Sequence, residues 1–166
     1  GEEASLLAFV DGETAVLMPS AQDHKPIGEG DTGPNTGGMG AYSPAPVMTP
    51  ELEARAMREV IEPTVRALAK LGTPYKGILY AGLMIKDGDF KVLEFNCRFG
   101  DPECQPLLMR MDSDLLPVLI ACATGNLANA VVSFSVEPAA CVVMAAGGYP
   151  GDYRKGDVIS GLNEAN

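Results

Sequence analysis

The densest run of chemistry-bearing side chains is EFNCRFGDPE, Glu94 to Glu103. The residues leading into it, DFKVLEFN, read as a strand, and alternation along a strand sends Glu94 and Asn96 to one face and Leu93 and Phe95 to the other. A carboxylate and an amide oxygen two residues apart are hard ligands that suit Mg²⁺. Arg98, two positions further on, adds a planar cation that grips phosphate or carboxylate. Mg²⁺ usually keeps waters and binds through one or two carboxylates plus substrate phosphates, so a set this lean implies a nucleotide that completes the shell. The plainer alternative is a strand end where Asn96 and Asp101 shape a turn and Arg98 pairs with Asp101 or Glu103. The residues alone weigh the two evenly.

Two further stretches carry polar chemistry. SAQDHKP groups Asp23, His24 and Lys25 at the end of an apolar run: Asp23 suits an amine and His24 or Lys25 a phosphate, although polar residues at a strand end are more often simply solvated. Gly30 to Pro46, GDTGPNTGGMGAYSPAP, holds five glycines and three prolines. That composition argues against a regular helix or a central strand and for a long loop. It is not a P-loop, because G-x-x-x-x-G-K-[ST] is absent, and G-x-G-x-x-G does not occur either. What remains is either a surface loop or NTGGMG presenting bare backbone N–H groups to an anion.

The elements that must hold these residues are legible in outline. EASLLAFVDGETAVLMPS is two apolar runs around Asp11-Gly12, a hairpin signal. Thr49 as N-cap, Pro50 at the first helical position and Gly72 past the end delimit a helix. Its apolar face is Leu52, Ala56, Val60, Ile61, Val65 and Leu68, and Pro63 is expected to kink it by freeing the Glu59 carbonyl. A second hairpin is centred on Asp87-Gly88-Asp89. SDLLPVLIACATGN reads as a short helix capped by Ser113 and closed by Gly125, and AACVVMAAGGYPGDYRKGDVI as a strand followed by a glycine-rich loop. Strands in hairpins rather than alternating with helices indicate an α+β fold with a mostly antiparallel sheet.

Composition excludes several classes. In 166 residues, 12 Lys and Arg stand against 22 Asp and Glu, a formal charge of -10. The footprint of a nucleic-acid binder is absent, and any anionic ligand must be held by local cations or a metal. No apolar run approaches the roughly 20 residues of a membrane span, and the start lacks the basic residues and cleavage site of a signal peptide; a soluble protein is expected. Cys97, Cys104, Cys122 and Cys141 lack C-x-x-C spacing, which predicts reduced thiols in the cytoplasm rather than a zinc site or disulfides. Acidic neighbours disfavour a catalytic thiolate at Cys97 or Cys104. With His24 as the sole histidine, a His-rich metal site is impossible.

Taken together, QDHKP, DTGPNTGGMGAYSPAP, GILYAGLMI, LEFNCRFGDPE and AAGGYPGDYRKGDVI resemble the glycinamide ribonucleotide synthetase (phosphoribosylamine–glycine ligase) family of ATP-grasp enzymes in purine biosynthesis. The resemblance runs from Gly1 to about Leu162. It implies an ATP-grasp core and an ATP- and Mg²⁺-dependent ligation (with Mn²⁺ as the alternative metal) of glycine to 5-phosphoribosylamine through glycyl phosphate. By it, Glu94 and Asn96 match the metal ligands, Arg98 contacts the acyl phosphate or a carboxylate, and Asp23, Lys25, Asn35, Thr36, Gly37 and Gly38 contact substrate. The third metal ligand is open, because ILYAGLMI carries no acid. The resemblance further implies a partial chain: residues 1–135 belong to the ATP-grasp core, 136–166 begin a C-terminal domain, and the parent's remaining N- and C-terminal parts are its partners in catalysis. Alone, the chain is expected to be inactive. The competing readings are another ATP-grasp carboxylate–amine ligase and a non-catalytic nucleotide-binding fragment.

Overall fold

A computed structural model describes residues 1–164, so the expected C-terminal part, 136–166, extends two positions beyond them. The strand β1 (Glu2–Asp11) is an almost unbroken apolar run because both of its faces are covered. Ala4, Leu6, Ala8 and Val10 enter one core with Leu79, Ala81, Leu83 and Ile85. Leu7 and Phe9, pointing the other way, enter a second core with Ile78 and Tyr80. β1 turns at Asp11-Gly12 into β2 (Ala15–Leu17), the expected hairpin, and pairs on its other edge with β7 (Lys76–Lys86). β7 returns as β8 (Asp89–Asn96) through Asp87 and Gly88, both at positive φ as a two-residue hairpin turn requires. The sheet order is β2-β1-β7-β8, all antiparallel.

The expected helix covers the first core. Thr49 accepts a hydrogen bond from the Leu52 amide, and α1 (Pro50–Ala56) leads through a π-helical turn, Met57–Ile61, into α2 (Glu62–Lys70). Leu52, Ala56, Val60, Ile61 and Val65 are buried, while Leu68 is only half-buried. Pro63 lacks the N–H that would bond Glu59, and the ladder accommodates this by widening one turn, with the Glu62 amide bonding Met57. The second core is covered by α3 (Cys104–Arg110), which the sequence did not signal, and α4 (Leu115–Thr124). α4 ends at Gly125 with φ 76°, as expected, but its cap is Asp114, whose carboxylate accepts from the Leu116 amide; Ser113 instead accepts from Ser133.

The glycine- and proline-rich segment is not a structureless loop. After β3 (Gln22–Asp23), it follows β4 (Pro26–Gly28) into β5 (Thr32–Asn35), which pairs with β4 as a ribbon. It then forms β6 (Gly40–Ser43), the central strand between β3 and β9 (Ala139–Val142). The expectation against a central strand fails because the prolines bracket the window Gly40-Ala41-Tyr42-Ser43 without entering it, leaving its ladder donors intact. β9 lies past the expected domain boundary at 135 and hydrogen-bonds directly to β6.

Candidate functional site

The register of the large sheet places the polar residues. Ser5, Gly82 and Glu94 lie abreast on three neighbouring strands, and Leu7, Tyr80 and Asn96 form the next row on the same face. The apolar face that carries the second core therefore becomes polar at this end of the sheet. Gly82 leaves room there, since a Cβ on it would sit 3.3 Å from Glu94 Cγ. A bulge shifts the register between Gly82 and Leu83, so that Glu94 opposes Gly82 while Val92 opposes Leu83. β8 is the sheet edge and exposes Leu93 and Phe95.

Glu94 and Asn96 face the same way, as expected, and the Asn96 amide donates to Glu94 Oε1 at 3.0 Å. This leaves Glu94 Oε2 and the Asn96 carbonyl oxygen as two hard acceptors side by side. Among the described residues no group of three or more His, Cys, Asp or Glu is placed to hold a metal, so the pair is a two-ligand set. Its chemistry fits Mg²⁺ shared with phosphate oxygens rather than an all-protein cage. Arg98 does not form the pair with Asp101 or Glu103 that the plainer alternative required. It is exposed, its Nη1 donates to the Phe99 carbonyl at 2.8 Å, and among the described residues it has no ion-pair partner. A guanidinium left un-neutralised beside a carboxylate–amide pair is arranged for an anion.

Asp23 and Lys25 line the same cleft as these residues. Lys25 Nζ lies 2.9 Å from Asp23 Oδ2 and 2.9 Å from Glu3 Oε2. Partial burial alone would lower the Lys25 ammonium, but the hydrogen bonds to Glu3 and Asp23 outweigh it and hold the group above its ordinary value, so it stays charged. A cleft of about 100 Å³ brings together Asp23, Lys25, Gly37, Glu94, Asn96 and Arg98, with Tyr80, Gly100, Asp101 and Glu103 completing its wall.

The other expected residues are placed differently. Asn35 lines a neighbouring cavity of about 300 Å³ with Gln22, His24, Asp31 and Tyr42. There His24 Nδ1 lies 3.1 Å from Asp31, and burial, followed by the charges of Glu2 and Asp31, raises the Tyr42 phenol. The Thr36 hydroxyl donates to the Lys25 carbonyl at 2.7 Å and accepts from the Gly38 amide, so it shapes the turn. Gly38 packs on Pro102, and the Gly37 amide donates to the Tyr149 hydroxyl at 3.0 Å. Burial, then the charges of Asp101 and Glu103, raise the Cys104 thiol, in line with the expected inert cysteines. The sequence reading missed Ser5, Tyr80 and the site role of Glu103, since a lone Ser or Tyr inside an apolar strand carries no local signal.

An antiparallel sheet whose edge strand ends in a carboxylate–amide pair, with a guanidinium two residues further on, fits the ATP-grasp architecture. A solved structure shares the fold at low identity: N5-carboxyaminoimidazole ribonucleotide synthetase from Thermus thermophilus superposes over 85% of this chain and 35% of its own, with a TM-score of 0.58 and 16% identity. Residues 1–104 match the family model of the phosphoribosylglycinamide synthetase ATP-grasp (A) domain, and the chain belongs to that family. Phosphoribosylamine–glycine ligase from Allochromatium vinosum is 61% identical over 98% of this chain and 38% of its own length. The enzyme of the same name from Brucella melitensis is 58% identical over 99% of this chain and 38% of its own. The crystal structure of phosphoribosylamine–glycine ligase from Thermotoga maritima superposes over 93% of this chain and 38% of its own, with a TM-score of 0.77 at 34% identity. The chain thus spans a little over a third of the relatives it matches.

Proposed function

We propose that this chain is the metal-strand portion of a longer phosphoribosylamine–glycine ligase acting in the cytoplasm. The observation that carries the reading is the cleft lined together by Glu94, Asn96, Asp23, Lys25 and Arg98, the last without an ion-pair partner among the described residues, on a chain of this family. In the reaction, a carboxylate oxygen of glycine takes the γ-phosphoryl group of ATP and ADP leaves. The amine nitrogen of 5-phosphoribosylamine then bonds to the glycyl carbon, phosphate departs and the amine loses its proton, giving glycinamide ribonucleotide.

Each residue's part follows from its chemistry. Glu94 and Asn96 would hold Mg²⁺, or Mn²⁺ in its place, which supplies charge neutralisation at the β- and γ-phosphate oxygens. Arg98 offers its fork to the oxygens of the transferring phosphoryl or of the glycine carboxylate. Lys25, kept cationic by Asp23 and Glu3, places a second positive charge on the cleft. The segment from Asn35 to Gly38 supports the rim of the cleft, where water must be kept from a hydrolysable acyl phosphate. The division at residue 135 is part of this proposal, with β9 stitching the following segment to β6.

The test is a coupled ADP-release assay. The full-length protein is expected to release ADP only when glycine and 5-phosphoribosylamine are both present, and the isolated 166-residue chain to show no turnover. ADP release with a different carboxylate or amine at equal efficiency overturns the reading in favour of another ATP-grasp ligase.

A further inference from the structure

Ser5, Tyr80 and Glu103 meet where the apolar face of the sheet gives way to the cleft. Ser5 Oγ lies 2.8 Å from Glu103 Oε1 and 2.8 Å from the Tyr80 hydroxyl. A serine hydroxyl has one proton and a carboxylate only accepts, so Ser5 donates to Glu103 and Tyr80 donates to Ser5. Burial, and after it the charges of Glu103 and Asp23, outweigh the Ser5 bond and raise the Tyr80 phenol, which keeps that proton in place. Glu103 therefore ends a relay of two hydroxyls that joins β1, β7 and the start of α3.

Glu103 is 3% exposed and among the described residues has no ion-pair partner; its Oε1 accepts from Ser5, while Oε2 has no protein donor and stays open to the cleft, since no fully buried side-chain oxygen among the described residues lacks a partner. A buried carboxylate lacking a cation is costly to the fold. The chain nevertheless makes room for it: a Cβ on Gly100 would fall 2.5 Å from Glu103 Cδ and 2.8 Å from Oε1. Gly100 and Glu103 line the same cleft as Arg98 and Lys25. Of the four carboxylates on the cleft, Glu94 is engaged by Asn96, Asp23 by Lys25 and the exposed Asp101 by Gln105, which leaves Glu103 as the buried one open to a positive group, beside cations suited to an acidic group.

We propose that Glu103 receives the ammonium group of the amino-acid substrate, an inference that rests on the ligase reading above. An amino acid is a zwitterion, and Arg98 with Glu103 matches its two ends. The relay from Tyr80 through Ser5 fixes the rotamer of the receiving carboxylate.

The experiment measures steady-state kinetics of the full-length ligase with glycine and ATP varied separately. E103Q keeps the side chain's shape and its acceptor for Ser5 but removes the charge. It is expected to raise the KM for glycine about 10- to 100-fold, the range a charge-assisted hydrogen bond carries, while the KM for ATP stays within about twofold. G100A, which crowds the carboxylate with Glu103 intact, is expected to raise the glycine KM in the same direction. An unchanged glycine KM in E103Q, or equal loss toward glycine and ATP, overturns the proposal; should E103Q fail to fold, an unchanged glycine KM in G100A overturns it. Failure of the ligase reading is seen separately, as wild-type protein that releases no ADP in response to glycine.

Discussion

Gly38 lies directly against Pro102. At φ 120° it holds a backbone conformation that side chains rarely adopt, and a Cβ there would overlap Pro102 Cδ and sit 3.1 Å from the Asp101 carbonyl oxygen. The glycine-rich segment therefore packs on the loop that follows β8, between Arg98 and Glu103, rather than hanging free. Gly37 differs: a Cβ on it meets only the Tyr149 hydroxyl, at 3.4 Å. Gly38→Ala is expected to destabilise the chain by about 2–3 kcal/mol through strain and overpacking, and to lower kcat by displacing the Arg98 loop. Gly37→Ala is expected to change stability by less than about 0.5 kcal/mol. Urea unfolding of the two variants beside wild type separates them; equal losses would mean that the contact with Pro102 is not what selects glycine.

Glu94 and Asn96 are one unit, joined by a 3.0 Å hydrogen bond and together offering two oxygens to a metal. On the proposed metal role, Glu94→Gln is expected to reduce kcat by about 100-fold or more, since it removes the formal charge that would hold Mg²⁺ at the phosphates. The Mg²⁺ concentration for half-maximal rate should rise in the same variant. Asn96→Ala is expected to shift the Mg²⁺ requirement in the same direction, less steeply. A Mg²⁺ titration of initial rate in full-length protein reads both; an unchanged midpoint would remove these residues from the metal site.

Arg110 is 7% exposed and holds together parts that are far apart in sequence. Its Nη1 donates to Ser43 Oγ at 2.7 Å, Nη2 to the Ser135 carbonyl at 2.8 Å and Nε to the Glu137 carbonyl at 3.0 Å. Three neutral acceptors satisfy the fork, and they tie α3 to the end of β6 and to the segment entering β9. Arg110→Ala is expected to cost about 3–4 kcal/mol, because it empties a buried volume and orphans the acceptors. Arg110→Lys should recover less than half of this, since one ammonium cannot reproduce the fork. Thermal unfolding measures the ranking.

How much of this was legible in sequence depends on whether the cause was local. The hairpins at Asp11-Gly12 and Asp87-Gly88 and the cap at Thr49 rest on residues within a few positions of one another, and they formed as read. The common facing of Glu94 and Asn96 follows from strand alternation alone. α3 gave no signal because Pro106 sits in its first turn and Glu103, at the N-cap, makes no side-chain cap. β6 was hidden by flanking prolines that do not enter its ladder and by a glycine run of which only Gly40 does. The Ser5–Glu103 bond spans 98 positions and the Arg110–Ser43 bond 67, and no pattern along the chain announces either. The local roles of Thr36 and Gly38 are hidden for the same reason, since Thr36 bonds the Lys25 carbonyl and Gly38 packs on Pro102.

Asp11 gives a pH dependence with a defined sign. Its Oδ1 accepts from the Glu13 and Thr14 amides and its Oδ2 from the Leu127 amide at 2.9 Å, so one carboxylate closes the β1–β2 turn and anchors the helical turn that begins at Leu127. Burial alone would raise its pKa, but the bonds from Thr14, Leu127 and Glu13, aided by the Lys76 charge, outweigh it and hold the carboxyl below its ordinary 3.8. A depressed folded-state value means that the stabilisation is fully present above pH 3.8 and is lost as pH falls through the folded value. Asp11→Asn keeps Oδ1 as an acceptor but gives up the charge, and is expected to cost about 1–3 kcal/mol at neutral pH. Urea unfolding of wild type and Asp11→Asn from pH 7 downward should show a constant gap that narrows below about pH 4. A gap that stayed constant into the acid range would mean that the three amides prefer Asp11 for its shape and not its charge.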